Sequence, residues 1–256
     1  MNELLSQMVL FRRTFALWLS MASCLSAGTV GAEPGTLKVA VLEAAPPLGY
    51  RDTSGKLTGF AIGVARALCT EIGAQCEFEV TRLESSVDGV ATGRFDFAAI
   101  GLLITPERSQ KVLFTKPVYR SVTLWVGRAG TQPGDPGARI SVFRGSAHES
   151  YAKLQRWQVI GAMNEAEMIE QLTAGVTQGA IVPLMTSLGM QRNPVFQQLG
   201  LKASVLPQPE LAGNAAFAIN PRRAELKAQL DGALDSIKRK GIYDRINSEF
   251  LPFRVE

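Results

Sequence analysis

The segment ITPER at 104–108 carries the clearest candidate for binding chemistry. A buried apolar run, AAIGLL, precedes a small-residue turn, and Arg108 lies just beyond that turn. A guanidinium fixed at such a place suits a carboxylate, because its planar fork donates two parallel hydrogen bonds. We therefore predict that Arg108 is the cation of an anion site. The alternative is a solvated loop that happens to carry an arginine.

Two cysteines form the second chemical feature. Cys69 and Cys76 lie in ALCTEIGAQCEF, where a helix ends and the next strand begins. Such a reversal brings the two ends within bridging distance, and an oxidising compartment preserves the bond, so we predict a disulfide. Two buried free thiols are the alternative, and they become the favoured interpretation if the chain is not exported. Zinc binding needs further ligands, and the single histidine, His148, is far away in sequence.

The first 32 residues resemble an export signal. Arg12 and Arg13 precede the apolar run TFALWLSMASCLSAGTV, and the small residues Val30-Gly31-Ala32 follow. This pattern predicts cleavage after Ala32 and a periplasmic protein. Three alternatives stay open: lipid attachment at Cys24, a twin-arginine signal, and an interfacial helix kept in the mature protein.

Composition excludes few functions. The chain has 256 residues, of which 46% are hydrophobic and 20% are charged, and this is ordinary for one large or two small globular domains. The net charge is only +4 and no basic block is present, which argues against nucleic acid as the main partner.

The remaining sequence alternates between strand-like and helix-like segments. TLKVAVL, CEFEVTRL and FDFAAIG read as strands, and FAIGVARALCTEIG and VDGVATG read as helices between them. After a Gly- and Pro-rich loop near 128–138, the pattern restarts with the strand RISVF. This alternation predicts an α/β fold with mostly parallel sheets flanked by helices. Two successive units joined by an extended segment predict two lobes with a cleft.

Four segments in the same order resemble the family 3 extracellular solute-binding proteins of ABC transporters. They are GKLTGFAIGVARAL, GRFDFAAIGLLITPERSQKVLFTKPVYRS, RGSAHESY and LKAQLDGALDSIKRKGIYDRINSEFL. The cysteine pair resembles the lysine/arginine/ornithine- and histidine-binding branch. The resemblance implies a type II periplasmic-binding-protein fold with a hinge. Lobe 1 would comprise 33–121 and 213–256, and lobe 2 would comprise 122–212, after a signal peptide at 1–32.

The same resemblance implies a ligand site around Arg108. The strand would end at Gly101 so that backbone and guanidinium converge on a carboxylate. Opposite it, Ser146 and Ala147 would offer backbone N–H groups at a helix N-terminus, while the Ser146 hydroxyl caps the helix or contacts the ligand. His148 is expected on the helix surface.

Several positions depart from the family pattern. Leu103 stands where many members carry a hydroxyl, so only its backbone N–H would help, and Ala147 replaces a common threonine. Ala45 and Leu83 occupy positions where binders of basic amino acids place aromatic rings. Together with Leu48, they favour a small or aliphatic solute.

The most serious departure is GVTQGAIVPLM. The family often reads Gly-x-x-Asp-Ala-x-x-x-Asp here, with the last Asp accepting the α-ammonium, whereas this chain has Gln178 and Pro183. Proline offers neither an acceptor side chain nor an N–H. Three explanations stay open: another acid such as Glu43 accepts the ammonium, the ligand lacks an ammonium, or the pocket is degenerate.

We therefore expect a monomeric periplasmic binding protein that closes on a small carboxylate-bearing ligand, an amino acid or a relative, and delivers it to a membrane permease. We expect no cofactor, no metal and no catalysis, because no nucleophile elbow, metal cluster or acid pair is visible. The alternatives are a sensor or accessory protein that acts through a protein partner and an enzyme on the same fold.

Overall fold

The computed structural model describes residues 35–255. The predicted signal at 1–32, with Arg12, Arg13, Cys24 and Ala32, lies outside the described residues. In chain order the strands are β1 Thr36–Val41, β2 Ala44–Ala45, β3 Gly49–Arg51, β4 Leu57–Thr58, β5 Gln75–Val80, β6 Phe97–Leu103, β7 Leu113–Phe114, β8 Tyr119–Ser121, β9 Thr123–Gly127, β10 Arg139–Phe143, β11 Gln158–Ala162, β12 Gly179–Pro183, β13 Lys202–Val205 and β14 Gly213–Ile219. The helices are α1 Phe60–Glu71, α2 Leu83–Thr92, α3 Pro106–Ser109, α4 Ala147–Leu154, α5 Glu165–Thr173, α6 Leu184–Arg192, α7 Pro194–Gln198, α8 Ala224–Arg239 and α9 Ile242–Phe250, with a 3₁₀ turn at Pro209–Leu211.

The strands form two large mixed sheets and a small antiparallel one. The first sheet has the order β5-β1-β6-β14-β7, with β8 also on β14, and the second has the order β11-β10-β12-β9-β13. In each sheet the strands linked by helices are parallel, whereas β14 and β9 run antiparallel to their neighbours. The predicted α/β two-lobed fold is therefore confirmed, with mixed sheets.

The chain passes between the two sheets twice. The first sheet uses strands within 36–121 and 213–219, and the second uses strands within 123–205. We propose that these passages, at 121/122 and 212/213, are the lobe boundaries and the hinge.

Both faces of the first sheet are buried, as the strand patterns require. Along β14, Phe217 packs on one face with Phe60 of α1 and Tyr243 of α9, while Ala216 and Ala218 pack on the other. Neighbouring strand residues point to opposite faces, so a run without polar residues indicates a strand covered on both sides. Each large side chain buried in this way contributes about 1.5–3 kcal/mol to folding.

The predicted disulfide is present. Cys69 in α1 and Cys76 in β5 are bonded, with their Cα atoms 6.0 Å apart. The bond ties the end of the helix to an edge strand of the first sheet, and a loop this short is expected to add about 2 kcal/mol.

The strand predicted to end at Gly101 continues to Leu103, so that prediction is wrong. Leu102 and Leu103 pair with β14, although the register shifts between Ala216 and Ala218. Gly101 has φ +75°, and a Cβ there would lie 2.9 Å from the ring of Tyr119. Glycine thus permits an irregular strand instead of ending it.

Candidate functional site

A cavity of about 570 Å³ is lined by residues of both large sheets and their loops. All six residues predicted for ligand binding line it: Glu43, Gly101, Leu103, Arg108, Ser146 and Ala147. The structure therefore brings together residues that are more than a hundred positions apart in sequence. That they bind a ligand stays a prediction.

Arg108 is held in place by a short, capped helix. Thr105 caps α3 by accepting from the Arg108 N–H, and Pro106 occupies the first helical position, where no N–H is needed. The guanidinium Nη1 donates to the Leu103 carbonyl at 3.0 Å, and Nη2 donates to the Gly145 carbonyl at 2.9 Å. The side chain therefore connects a residue of the first sheet to the turn after β10 of the second.

Arg108 is a buried cation without a carboxylate partner in the described part of the chain. It is only 9% exposed, and its bonds are to neutral carbonyl groups. Burial lowers its pKa from the ordinary value, but a guanidinium stays protonated. A buried charge is costly unless it is paired, so this geometry favours an incoming anion.

The turn that contains Gly145, whose carbonyl accepts a hydrogen bond from Arg108, lies very close to the backbone of α2. Gly145 has φ +73°, and a Cβ built there would lie 2.3 Å from the Cα of Glu84 in α2. We name Arg108, Gly145 and Glu84 the Arg108 contact. Only glycine fits this position, for both its backbone angle and its space.

The start of α4 is a capped helix end. The Ser146 hydroxyl accepts from the Glu149 N–H at 3.1 Å, and the Glu149 carboxylate accepts from the Gly145 N–H at 2.7 Å. The predicted availability of the Ser146 N–H is wrong, because that group donates to the Phe143 carbonyl. Ala147 is in the first turn, where helix N–H groups lack intrahelical partners, so its N–H remains the candidate donor.

His148 is buried, not on the helix surface as expected from sequence. It is 5% exposed and lines the cavity. Its Nε2 lies 2.8 Å from the Thr123 hydroxyl, and that hydroxyl donates to the Leu211 carbonyl. Burial, together with the nearby charge of Arg108, lowers the His148 pKa to about 4, so the ring is neutral at pH 7.

Glu43, predicted as a substitute acceptor, lines the cavity from an exposed position. Its carboxylate is 2.6 Å from the Arg51 Nε, and both side chains are more than 40% exposed. This acid is therefore already paired at the rim.

Pro183 is the last residue of β12 and the N-cap residue that precedes α6, and it lines the cavity. Ala45, Leu48 and Leu83 also line the cavity, so the apolar lining inferred from sequence is present. The position that would carry an acid in the family pattern thus presents an apolar ring.

Sequence reasoning missed Glu165. Its Oε2 is buried and has no hydrogen-bond partner within residues 35–255, and burial raises its pKa to about 7. A Cβ built on Gly189 of α6 would lie 2.7 Å from this oxygen and 3.1 Å from the Pro46 carbonyl. We name Glu165, Gly189 and Pro46 the Glu165 contact. No local motif marks it, because the three residues come from separate elements.

The described residues contain neither a long apolar helix nor a cluster of metal-binding side chains. No helix there is long and apolar enough to cross a membrane. No group of three or more His, Cys, Asp or Glu side chains there is arranged to hold a metal ion.

Known proteins resemble this chain over most of its length. A family model for bacterial extracellular solute-binding proteins, family 3, matches residues 37–253. ABC transporter arginine-binding protein 1 of Escherichia coli K12 is 26% identical over 242 residues, covering 91% of this chain and 98% of the relative. The lysine/arginine/ornithine-binding periplasmic protein of the same organism is 22% identical over 253 residues, covering 94% and 96%. A solved ancestral arginine-binding protein bound to glutamine aligns with a TM-score of 0.74 at 25% identity, covering 84% of this chain and 97% of that one.

Proposed function

Because the chain belongs to the family 3 bacterial extracellular solute-binding proteins, we propose that it captures a small carboxylate-bearing ligand in this cavity. The ligand would be an amino acid or a relative, delivered to the permease of an ABC transporter. We place the mature protein in the periplasm, after removal of residues 1–32, as a monomer.

The observation that carries this proposal is the buried, unpaired guanidinium of Arg108. A carboxylate would accept hydrogen bonds from its remaining N–H donors and neutralise its buried charge. Ser146 and Ala147 line the same cavity from the second sheet's side, and the Ala147 N–H is the candidate donor there. Because Arg108 is buried, a charge-assisted hydrogen bond to it is stronger than the same bond at the surface.

Closure would couple binding to transport. The cavity walls come from both sheets, so one ligand contacts both and stabilises the arrangement in which they are close. The bond from Arg108 to the Gly145 carbonyl already links these two walls. A permease that recognises the closed arrangement would then receive loaded protein in preference to empty protein.

The test is calorimetry on the mature protein with a panel of amino acids and organic acids. We expect Arg108→Ala to weaken binding of the preferred carboxylate by about a thousandfold, because it removes a buried bidentate partner. Arg108→Lys should recover only part of this loss, since a lysine cannot donate the parallel pair.

The control is Arg120→Ala, which removes an exposed arginine from β8 and should leave affinity unchanged. Unchanged affinity in Arg108→Ala would remove Arg108 from the site. If no carboxylate raises the thermal stability of the wild type, the proposal of ligand capture fails and a role through a protein partner takes its place.

A further inference from the structure

The charged side chains that line the cavity differ in whether they have an ion-pair partner. Four side chains of fixed charge line the cavity: Glu43, Arg82, Arg94 and Arg108. Three of them have ion-pair partners that do not line it: Arg51, Glu84 and Glu79, respectively. Within the described residues, Arg108 alone of the four has no ion-pair partner within 4 Å, although the Glu107 carboxylate acts on it from a longer distance, and the one carboxylate that lines the cavity is already paired. The cavity is thus complementary to an anion, and the one carboxylate that it offers to an ammonium, Glu43, is already paired with Arg51.

We propose that the ligand is a 2-hydroxy acid, with its carboxylate on Arg108 and its hydroxyl donating to Nδ1 of His148. This inference rests on the proposed function and specifies the ligand class for the same site. It makes His148 a specificity-determining residue and Pro183 part of the wall that selects against an ammonium.

The hydrogen-bond chain at His148 fixes which ring nitrogen is free. The Thr123 hydroxyl has one proton and donates it to the Leu211 carbonyl, so it must accept from the imidazole Nε2–H. Nδ1 is then an unprotonated acceptor, and no bond to it is present in the part of the chain described. The ring lines the same cavity as Arg108, whose charge acts on it, and we infer that a carboxylate and its neighbouring hydroxyl reach both residues together.

An α-ammonium placed near Arg108 and His148 would lack both a group of opposite charge and enough hydrogen-bond acceptors. It has three donors and a full positive charge, which a weakly basic neutral imidazole does not offset. Two of the nearby carbonyls already accept bonds, Gly101 from the Tyr119 hydroxyl and Leu103 from Arg108. The positive charge of Arg108 that keeps His148 neutral also opposes a second cation beside it.

The rest of the cavity indicates the side chain of the ligand. Ala45, Leu48, Leu83 and Ile100 give it apolar walls. A volume of about 570 Å³ accommodates an aliphatic or aromatic group together with the acid end. We therefore expect hydroxy acids with apolar side chains to bind better than those with a second charge.

The test compares three acids that share one side chain and differ only at carbon 2, which carries hydroxyl, hydrogen or ammonium. The series is run with methyl, isobutyl and benzyl side chains, so that one misfit does not decide the outcome. Calorimetry should show that the hydroxy acid binds about tenfold more tightly than the unsubstituted acid, because its hydroxyl adds one neutral hydrogen bond. The amino acid should bind about a hundredfold more weakly than the hydroxy acid, because its α-ammonium would be buried without a partner of opposite charge.

Substitutions at His148 and Pro183 test which residues cause these differences in affinity. His148→Leu should make the hydroxy acid and the unsubstituted acid equal, whereas His148→Gln, which keeps an acceptor, should restore part of the preference. Pro183→Asp should shift preference towards the amino acid, and aspartate is compatible with the helix-start position. Circular dichroism confirms folding of each variant, and the wild-type series is decisive without them.

Each outcome bears on a different statement. An amino acid that binds as tightly as its hydroxy counterpart overturns the ligand class and leaves carboxylate capture intact. Equal binding of hydroxy and unsubstituted acids overturns the role of His148. Failure of every carboxylate to bind overturns the proposed function itself, and this inference with it.

Discussion

The Arg108 contact and the Glu165 contact each bring residues from the segments that form the first sheet next to residues from the segments that form the second. They differ in whether the buried charged side chain has hydrogen-bond partners. At the first, a guanidinium donates to two carbonyls. At the second, a carboxylate oxygen of Glu165 is buried without a hydrogen-bond partner among residues 35–255, next to Gly189, which also lies beside the Pro46 carbonyl. A guanidinium keeps its charge when it is buried, whereas burial favours the protonated, neutral form of a carboxyl group. We therefore expect the Arg108 contact to be stable at any ordinary pH and the Glu165 contact to depend on a proton.

Among the tests that compare these two contacts, the largest expected effect comes from crowding the Arg108 contact. In Gly145→Ala the new Cβ would lie 2.3 Å from the Glu84 Cα, which is backbone and cannot move aside. We expect the closed arrangement to lose about 3–4 kcal/mol, so ligand affinity should fall at least a hundredfold. Small-angle scattering should show that the ligand no longer compacts the variant.

Gly137→Ala is the matched control for backbone strain. Gly137 has φ +79°, close to the +73° of Gly145, but a Cβ there would contact nothing within 4 Å. Both variants incur about 1 kcal/mol for the left-handed backbone. If Gly137→Ala weakens binding as much as Gly145→Ala does, strain and not the contact with Glu84 is responsible.

His148, beside the Arg108 contact, predicts a loss of stability in acid. Its pKa is lowered from 6.5 to about 4, so between these values the unfolded chain binds a proton that the folded chain does not. The free energy of unfolding contributed by this group is complete above pH 6.5 and falls as pH decreases towards 4, by about 3 kcal/mol. Chemical denaturation of His148→Gln at pH 6.5 and 4.5 should lack this change. A variant that loses as much stability as the wild type would place the titration elsewhere.

Local sequence patterns were sufficient for most of the fold. The spacing of Phe60, Val64 and Leu68 predicted α1, and all three side chains are fully buried. The predicted pair Cys69 and Cys76 is bonded, because a helix end and an adjoining strand are constrained by few intervening residues. The end of β6 was misjudged at Gly101, since whether a glycine ends a strand or lies within an irregular one depends on the partner β14.

The site was predictable in its residues but not in its bonds. Arg108, Ser146 and Ala147 were placed around one cavity by motif, and the cavity contains all three. The burial of His148 was missed, because it depends on Thr123 and Leu211, which come from distant segments. The contacts of Glu165 were missed for the same reason: a charged residue in the first turn of a helix usually points to solvent.

Glu165→Gln tests the other half of the comparison and has the smallest expected effect. Burial raises the Glu165 pKa from 4.5 to about 7, so the folded chain keeps a proton that the unfolded chain has released. Stability from this group is therefore complete below pH 4.5 and is lost as pH rises to about 7, opposite in sign to His148. Because the side chain is partly exposed, we expect a loss of about 1–2 kcal/mol. Thermal unfolding at pH 5 and 7.5 should show this loss in the wild type and not in Glu165→Gln, and an equal loss in both would leave the two contacts alike in their response to pH.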